Sequence, residues 1–206
     1  MFAATSMVLS TAAMLAASMP LNAPGPADDT SCHATPGATV EEVACSLDGR
    51  YIAEIRADPD REAATLYLVD RKEQTVTALF PHLQSDDLQR TFERPRHPVF
   101  SLDSTSLFVA VDAWATANAI HRIDLADRTD HFLIDGNSNE MIPGGRWRGH
   151  LMVWRHRYHH GRGYDVAQII DTHGSVRAQV PGSAGHDGDA LAERWLRRQI
   201  DTSPRQ

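Results

Sequence analysis

The chain has 206 residues, of which 42% are hydrophobic and 23% are charged, values typical of a globular protein with one domain or at most two small ones. Its formal net charge of −7 argues against a protein that binds nucleic acid through its bulk charge. The sequence contains no G-x-x-x-x-G-K-[ST] phosphate loop, no G-x-S-x-G elbow and no H-E-x-x-H zinc motif. It therefore predicts no cofactor and gives no specific indication of catalysis.

Residues 1–23 have the pattern of a secretory signal peptide. Val8 to Met19 is a run of apolar and small residues, shorter than the roughly 20 residues that span a membrane, and Leu21-Asn22-Ala23 suits cleavage before Pro24. The basic residues usual at the start of a signal peptide are missing, so a disordered tail and a misassigned start codon are alternatives. We expect a periplasmic or secreted protein whose mature chain begins near Pro24 and contains no membrane span.

Residues 24–39 are rich in Pro, Gly, Ala and Thr without any periodicity, and we interpret them as a linker. The linker contains Cys32, and the only other cysteine, Cys45, lies in the first predicted strand. In an exported protein, two cysteines at this spacing favour a disulfide bond. The alternative is that Cys32 is free and that Cys45 is a small buried apolar residue.

Two copies of one sequence element predict a repeated β structure. Ser46-Leu47-Asp48-Gly49 precedes an apolar strand, and Ser101-Leu102-Asp103-Ser104 precedes another. In each copy a second strand follows and ends in an aliphatic residue and an aspartate, Asp70 in the first copy and Asp124 in the second. Short strands bounded by Asp, Gly and Pro are typical of antiparallel meanders, and self-similarity of this kind indicates stacked β units.

The rest of the chain contains a connection, a third unit and a helix. Residues 80–98 are polar, and we expect a helical turn near residues 86–92 that Pro95 and Pro98 stop. A third unit, residues 142–180, keeps less of the pattern, but its second strand is again followed by an aspartate, Asp171. Asp189 is predicted to cap an amphipathic helix over residues 190–200. The expected apolar stripe of this helix consists of Leu191, Trp195, Leu196 and Ile200.

The repeated turn and its strands resemble the blades of TolB-type β-propellers, in which the turn usually reads Ser-Pro-Asp-Gly. Here Leu47 and Leu102 stand in place of the proline, and in the second copy Ser104 stands in place of the glycine. The resemblance covers roughly residues 40–180. It implies a mainly β, WD40-like array of three to four antiparallel sheets within a domain of residues 40–200 that ends in the helix. Known propellers have about four to eight blades, so a degenerate fourth sheet, open sheets and pairing with another chain are all compatible with the three visible units.

The segment from residue 146 to residue 164 reverses the charge of the chain. It contains five Arg, four His, two Trp and two Tyr and no acidic residue. The overlapping run from Gly149 to Asp165 resembles a segment of small exported bacterial proteins of unknown function. Arginine binds carboxylates and phosphates with two parallel hydrogen bonds, and aromatic rings add stacking faces. The predicted binding residues are Arg146, Trp147, Arg155, His156, Arg157, Tyr158, His159 and Tyr164. The alternative is a structural hairpin whose tryptophans pack between sheets while its Arg and His side chains cover a rim.

A metal site is not expected in this segment. His150, His156, His159 and His160 are close in sequence, but zinc needs three or four converging ligands and the segment has the pattern of strand and turn. The acidic pairs at residues 58–60 and 187–189 lack the alternating oxygen ligands and distal glutamate of a calcium loop.

These features favour an exported, non-enzymatic binding module on a propeller scaffold, whose partner is a protein or an anionic small molecule. An inhibitor or immunity-like protein is one specific version, and a homo-oligomer is compatible with the sequence. The alternative is a small hydrolase or lyase that uses His156, Arg157, Tyr158 and Asp165 of the hairpin 146–165. Convergence of these side chains in a concave pocket, rather than along a rim, would favour the enzyme.

Overall fold

A computed structural model of the chain describes residues 32–58, 63–80, 83–185 and 187–201, without the side chains of residues 200 and 201. The predicted signal peptide and the first part of the linker lie outside the described residues. The described chain forms three four-stranded antiparallel sheets, each a meander of consecutive strands, followed by one helix. This architecture confirms the predicted fold class.

We call the three sheets blades 1, 2 and 3. Blade 1 consists of β1 (Val40–Cys45), β2 (Tyr51–Asp58), β3 (Ala63–Asp70) and β4 (Thr75–Leu79). Blade 2 consists of β5 (Glu93–Phe100), β6 (Ser106–Trp114), β7 (Ala117–Asp124) and β8 (Asp130–Asp135). Blade 3 consists of β9 (Ser138–Met141), β10 (Leu151–His159), β11 (Arg162–Ile170) and β12 (Val176–Gln179). Short 3₁₀ turns occupy Leu88–Arg90 and Gly145–Trp147, and the helix α1 is Gly188–Asp201.

Blade 2 is packed on both faces, which explains the continuous apolar run of β6. Because successive side chains of a strand point to opposite faces, Leu107 and Val109 join the core shared with blade 1. Phe108 and Ala110 join the core shared with blade 3. All four side chains are fully buried. Neighbouring blades therefore lie face to face.

The helix α1 covers the free face of blade 3. Ala192 and Leu196 are buried against strand residues of that face, and Trp195 packs beside them. The buried apolar stripe of the helix is narrower than predicted, because Leu191 is exposed. The helix also begins at Gly188, so Asp189 lies in its first turn and does not precede it as a cap.

The free face of blade 1 is covered by residues of the predicted linker. The Cys32–Cys45 disulfide is present, with a Cα–Cα distance of 5.6 Å, which confirms the predicted bond. Beside it, the amide and the hydroxyl of Thr35 both donate to Oε1 of the buried Glu54 at 2.7 Å. Arg56 donates to the other carboxylate oxygen. Burial raises the pKa of Glu54, but these hydrogen bonds lower it by more, so this pKa lies below its ordinary value.

The two repeated turns have the same structure. The hydroxyl of Ser46 donates to the carboxylate of Asp48 at 2.6 Å, and Ser101 makes the equivalent bond to Asp103 at 2.6 Å. The fourth residue of each turn is in the left-handed region, Gly49 with φ +70° and Ser104 with φ +58°. The amide of Asp48 also donates to the Ser104 hydroxyl, which joins the two turns. The predicted repeat is therefore a structural repeat.

The aspartates at the strand ends are equivalent as well. Asp70 accepts hydrogen bonds from the amides of residues 72 and 73, and Asp124 accepts one from the amide of residue 126. Asp171 follows β11 and accepts from the amides of residues 173 and 175. Each carboxylate thus closes its own turn, as the sequence pattern predicts.

The segment before blade 2 differs from expectation. Its helical turn is only the 3₁₀ turn Leu88–Arg90, and Pro95 and Pro98 lie inside β5 rather than in a connection. β5 is an edge strand with two bulges, where prolines are tolerated because no ladder hydrogen bond is lost. At one bulge the amide of His97 donates to Glu42 of β1, and its carbonyl accepts from Asn139 of β9. The bulged strand thereby connects the first strands of all three blades.

Candidate binding groove between blades 2 and 3

The long hairpin of β10 and β11 places part of the predicted site. The strands pair from Leu151↔Ile170 to His159↔Arg162, and a two-residue turn with positive φ at His160 and Gly161 joins them. β9 pairs with β10 only as far as Trp154. The hairpin therefore extends beyond β9, and Arg157 in its projecting part pairs with Asp135 at the end of β8 in blade 2.

A groove of about 540 Å³ lies between this hairpin and blade 2. Three aromatic residues line it: Trp114 at the end of β6, Phe132 on β8 and Tyr158 on β10. The rings of Trp114 and Phe132 meet edge to face, with centroids 6.1 Å apart. Tyr158 is 65% exposed and Trp114 is 36% exposed, so a large aromatic surface is open to solvent.

Asp135, the last residue of β8, holds the two central arginines of the hairpin. Arg155 donates to the side chain and the carbonyl of Asp135 and, at 2.8 Å, to Gln168. Its side chain is only 11% exposed. Arg157 donates through Nη1 to the Asp135 carboxylate at 2.8 Å and to the carbonyl of His156. Within the described residues, Nε and Nη2 of Arg157 donate no hydrogen bond. This guanidinium therefore has donors available beside the groove.

His156 is oriented by an acid on the neighbouring strand. Its Nδ1 lies 2.8 Å from Asp165, and its ring meets Tyr158 edge to face at 4.8 Å. The ring packs over Gly163, where a Cβ atom would lie 2.6 Å from Nε2. Any side chain at residue 163 would therefore displace the imidazole.

Only part of the predicted site comes together. His156, Arg157 and Tyr158 line the groove. Arg146 and Trp147 lie at the opposite end of β10, where the guanidinium stacks on the indole at 4.6 Å. Three further predicted residues lie outside the groove lining: Arg155 is held by Asp135, and His159 next to the hairpin turn and Tyr164 on β11 are exposed.

Sequence reasoning missed Trp114, Phe132 and Asp135. These residues belong to blade 2, and they meet the hairpin only because consecutive blades stack face to face. Asp135 supplies the negative charge that the linear segment 146–164 lacks. The only signal for it was its place at the end of a strand next to the third unit.

The described part of the chain offers no group of three His, Cys, Asp or Glu side chains close enough to hold a metal ion. None of its helices is long and apolar enough to cross a membrane.

No protein-family model matches the sequence, and no curated protein matches it. Among solved structures, the chain is similar to the β-propeller domain of the Trilobed protease from Pyrococcus furiosus, which has an open velcro topology. The TM-score is 0.50 at 13% identity over 68% of this chain and 43% of that one. TolB from Acinetobacter baumannii matches with a TM-score of 0.45 at 15% identity, over 69% of this chain and 32% of TolB. An acylaminoacyl peptidase from Pyrococcus horikoshii matches with a TM-score of 0.49 at 11% identity, over 69% of this chain and 25% of the peptidase.

The likeness to the first of these structures defines the class of protein: the chain has a β-propeller fold, here with three blades in its described residues. The chain spans less than half the length of each of these structures.

Proposed function

We propose that this chain is an exported, non-enzymatic binding module that holds a protein partner in the groove between blades 2 and 3. In this proposal residues 1–23 are a signal peptide, residues 24–39 are a linker, and residues 40–200 form the propeller-like domain. The Cys32–Cys45 disulfide supports export, because such bonds persist in oxidising compartments outside the cytoplasm.

The observation that carries the proposal is an exposed aromatic surface next to an arginine, Arg157, that uses only one of its guanidinium nitrogens within the described residues. Trp114 and Tyr158 are open to solvent on either side of the groove, and Arg157 retains free donors. Tryptophan, tyrosine and arginine are the residues that contribute most binding energy in protein interfaces. The neighbouring bonds of Asp135 and Asp165 keep Arg157 and His156 in place, which lowers the entropy cost of binding.

The chemistry of the groove defines the partner segment. An apolar or aromatic side chain of the partner fits between Trp114 and Tyr158, and a carboxylate next to it accepts from Nε and Nη2 of Arg157. An inhibitor or immunity-like protein would use such a segment to reach another protein. An anionic small molecule with the same two features is the alternative occupant.

Site-specific photo-crosslinking in the producing cell tests this proposal. A photoreactive phenylalanine at position 158 keeps the aromatic ring in the groove, and the same residue at position 47 is the control. Leu47 is exposed in the β1–β2 turn, far along the chain from the hairpin. We expect a discrete protein adduct from position 158 and none from position 47. No adduct, or the same adducts from both positions, would exclude the groove as the partner site.

A second candidate function is hydrolysis or elimination with His156 as the general base. The specific observation in its favour is the 2.8 Å bond from His156 to Asp165, which fixes the imidazole next to Tyr158. Among the described residues that line the groove, Thr116 and Tyr158 carry the hydroxyl groups, and none is a serine or cysteine. Turnover of ester or uronate substrates by the wild-type protein but not by His156→Ala would favour this candidate over the binding module.

A further inference from the structure

A second, larger cavity shares Trp114 with the groove. Its volume is about 920 Å³, within the range of small-molecule sites. Its walls are segment 84–93, the start of β5 and the turn between β6 and β7. No sequence motif indicated this cavity, and the proposed groove does not include it.

Two arginines share one carboxylate on a wall of this cavity. Arg96 donates a hydrogen bond to Asp112, whereas Nη1 of Arg94 lies 3.7 Å from the same carboxylate, beyond hydrogen-bond distance. The described residues give the Arg94 guanidinium no hydrogen bond, and its side chain is 60% exposed. Arg94 therefore has its planar donor pair available for a carboxylate from outside the chain.

The backbone at Arg94 is held in a costly conformation. Its φ of +43° is in the left-handed region, which residues with side chains rarely adopt. The residue lies in the first of the two bulges of β5, between Glu93 and Arg96. Arg94 and Arg96 are two positions apart in β5, and both line the cavity.

The cavity contains negative charge besides Asp112, and one of these acidic residues, Glu93, lies opposite Asp112 in the β5–β6 register. Asp86 and Glu93 line it, so three carboxylates and two guanidiniums surround the space. A simple anion is repelled by the carboxylates, and a simple cation is repelled by the arginines. A ligand that carries both charges interacts favourably with both sets. The indole of Trp114 provides an apolar surface for the part of the ligand between its charges.

We propose that this cavity binds a small amphoteric ligand, an amino acid or a short peptide. The ligand carboxylate pairs with Arg94 and Arg96, and its ammonium group pairs with Asp86 and Glu93. Trp114 contacts its aliphatic part. The site shares Trp114 with the proposed groove, but its charged residues, Asp86, Glu93, Arg94 and Arg96, do not line that groove.

The test is a titration of the mature protein with L-alanyl-L-alanine, followed through the indole N–H signal of Trp114 in NMR spectra. A Trp114→Phe variant assigns that signal among the four tryptophans. We expect saturable binding of the dipeptide, and affinities at least about ten-fold lower for its N-acetylated and C-amidated forms, since each lacks one charge-assisted set of hydrogen bonds. These comparisons use the wild-type protein and do not depend on the folding of a variant. No shift of the Trp114 signal up to about 10 mM dipeptide, or equal affinity for all three forms, would overturn the proposal.

A pair of variants locates the carboxylate subsite. Arg94→Gln is expected to weaken dipeptide binding about ten-fold or more. Arg90→Gln is the control, because Arg90 is an exposed arginine four residues away that pairs with Asp87 and does not line the cavity. Equal binding by Arg94→Gln and Arg90→Gln would place the carboxylate elsewhere and contradict the assignment.

Discussion

Asp135 at the end of β8 forms a 2.8 Å ion pair with Arg157 of β10, which connects blade 2 to the projecting hairpin of blade 3. The same carboxylate accepts a hydrogen bond from Arg155. Burial raises the pKa of Asp135, but the two guanidiniums lower it by more, so this pKa lies below its ordinary value. Asp135 is therefore ionised at neutral pH and orders the basic side of the groove.

Asp135→Asn should lower the free energy of unfolding by about 1–3 kcal/mol, because two arginines lose their charged acceptor. Urea denaturation followed by circular dichroism measures this change. Glu193→Gln is the control, since the Glu193–Arg197 pair on α1 is exposed on both sides and should contribute less than about 1 kcal/mol. Equal effects of the two variants would mean that Asp135 does not connect the blades.

Glu54 should make the protein sensitive to acid. Its pKa is lowered in the folded state, so its contribution to stability is present above about pH 4.5, the ordinary value, and is lost as the pH falls through the lowered value. We expect the free energy of unfolding of the wild type to fall more steeply below about pH 4.5 than that of Glu54→Gln. Parallel curves, measured by urea denaturation at a series of pH values, would contradict the stabilising contacts from Thr35 and Arg56.

Removal of the disulfide should uncover the free face of blade 1. The bond joins residues separated by 13 positions, and closing a loop of this size stabilises a protein by about 3 kcal/mol. A Cys32→Ser/Cys45→Ser variant should lose about 2–3 kcal/mol of unfolding free energy in urea. A reducing agent should destabilise the wild type by a similar amount and leave the double variant unchanged. Insensitivity of the wild type to reduction would count against the bond.

The helix α1 should stabilise the protein through one side only. Leu196→Ala removes a buried side chain from the core with blade 3 and should cost about 2–4 kcal/mol. Leu191→Ala on the same helix is the matched control, because Leu191 is 36% exposed and should cost less than about 1 kcal/mol. Thermal and urea unfolding measure both. Similar losses would show that the helix packs differently.

Much of the fold could be predicted from local pattern. The turns at Ser46 and Ser101 have hydrogen bonds within four or five residues, so the sequence determines them directly. β9 was not predicted, because apolar and polar residues do not alternate in its four residues, Ser138–Met141. The first strand of blade 2 was not predicted, because Pro95 and Pro98 indicated a connection. Prolines at these positions are accommodated only because β5 is an edge strand with bulges.

The candidate site was predictable only in part. His156, Arg157 and Tyr158 belong to one segment whose composition is unusual, and composition is visible in the sequence. Asp135 and Trp114 reach them across the boundary between two blades, and such contacts depend on stacking that the linear pattern does not specify. A positively charged segment in a sequence therefore says little about free charge until its neighbours in space are known.

The groove between blades 2 and 3 is the proposed partner site. The partner is the protein that is captured by crosslinking at position 158. Its dissociation constant is measured by isothermal titration calorimetry with the wild-type chain, with Arg157→Gln and with Arg162→Gln. Arg162 is an exposed arginine of the same hairpin that does not line the groove. We predict that Arg157→Gln weakens binding at least about ten-fold and that Arg162→Gln stays within about two-fold of the wild type. Equal affinities for the two variants, or a larger loss for Arg162→Gln, would contradict the account.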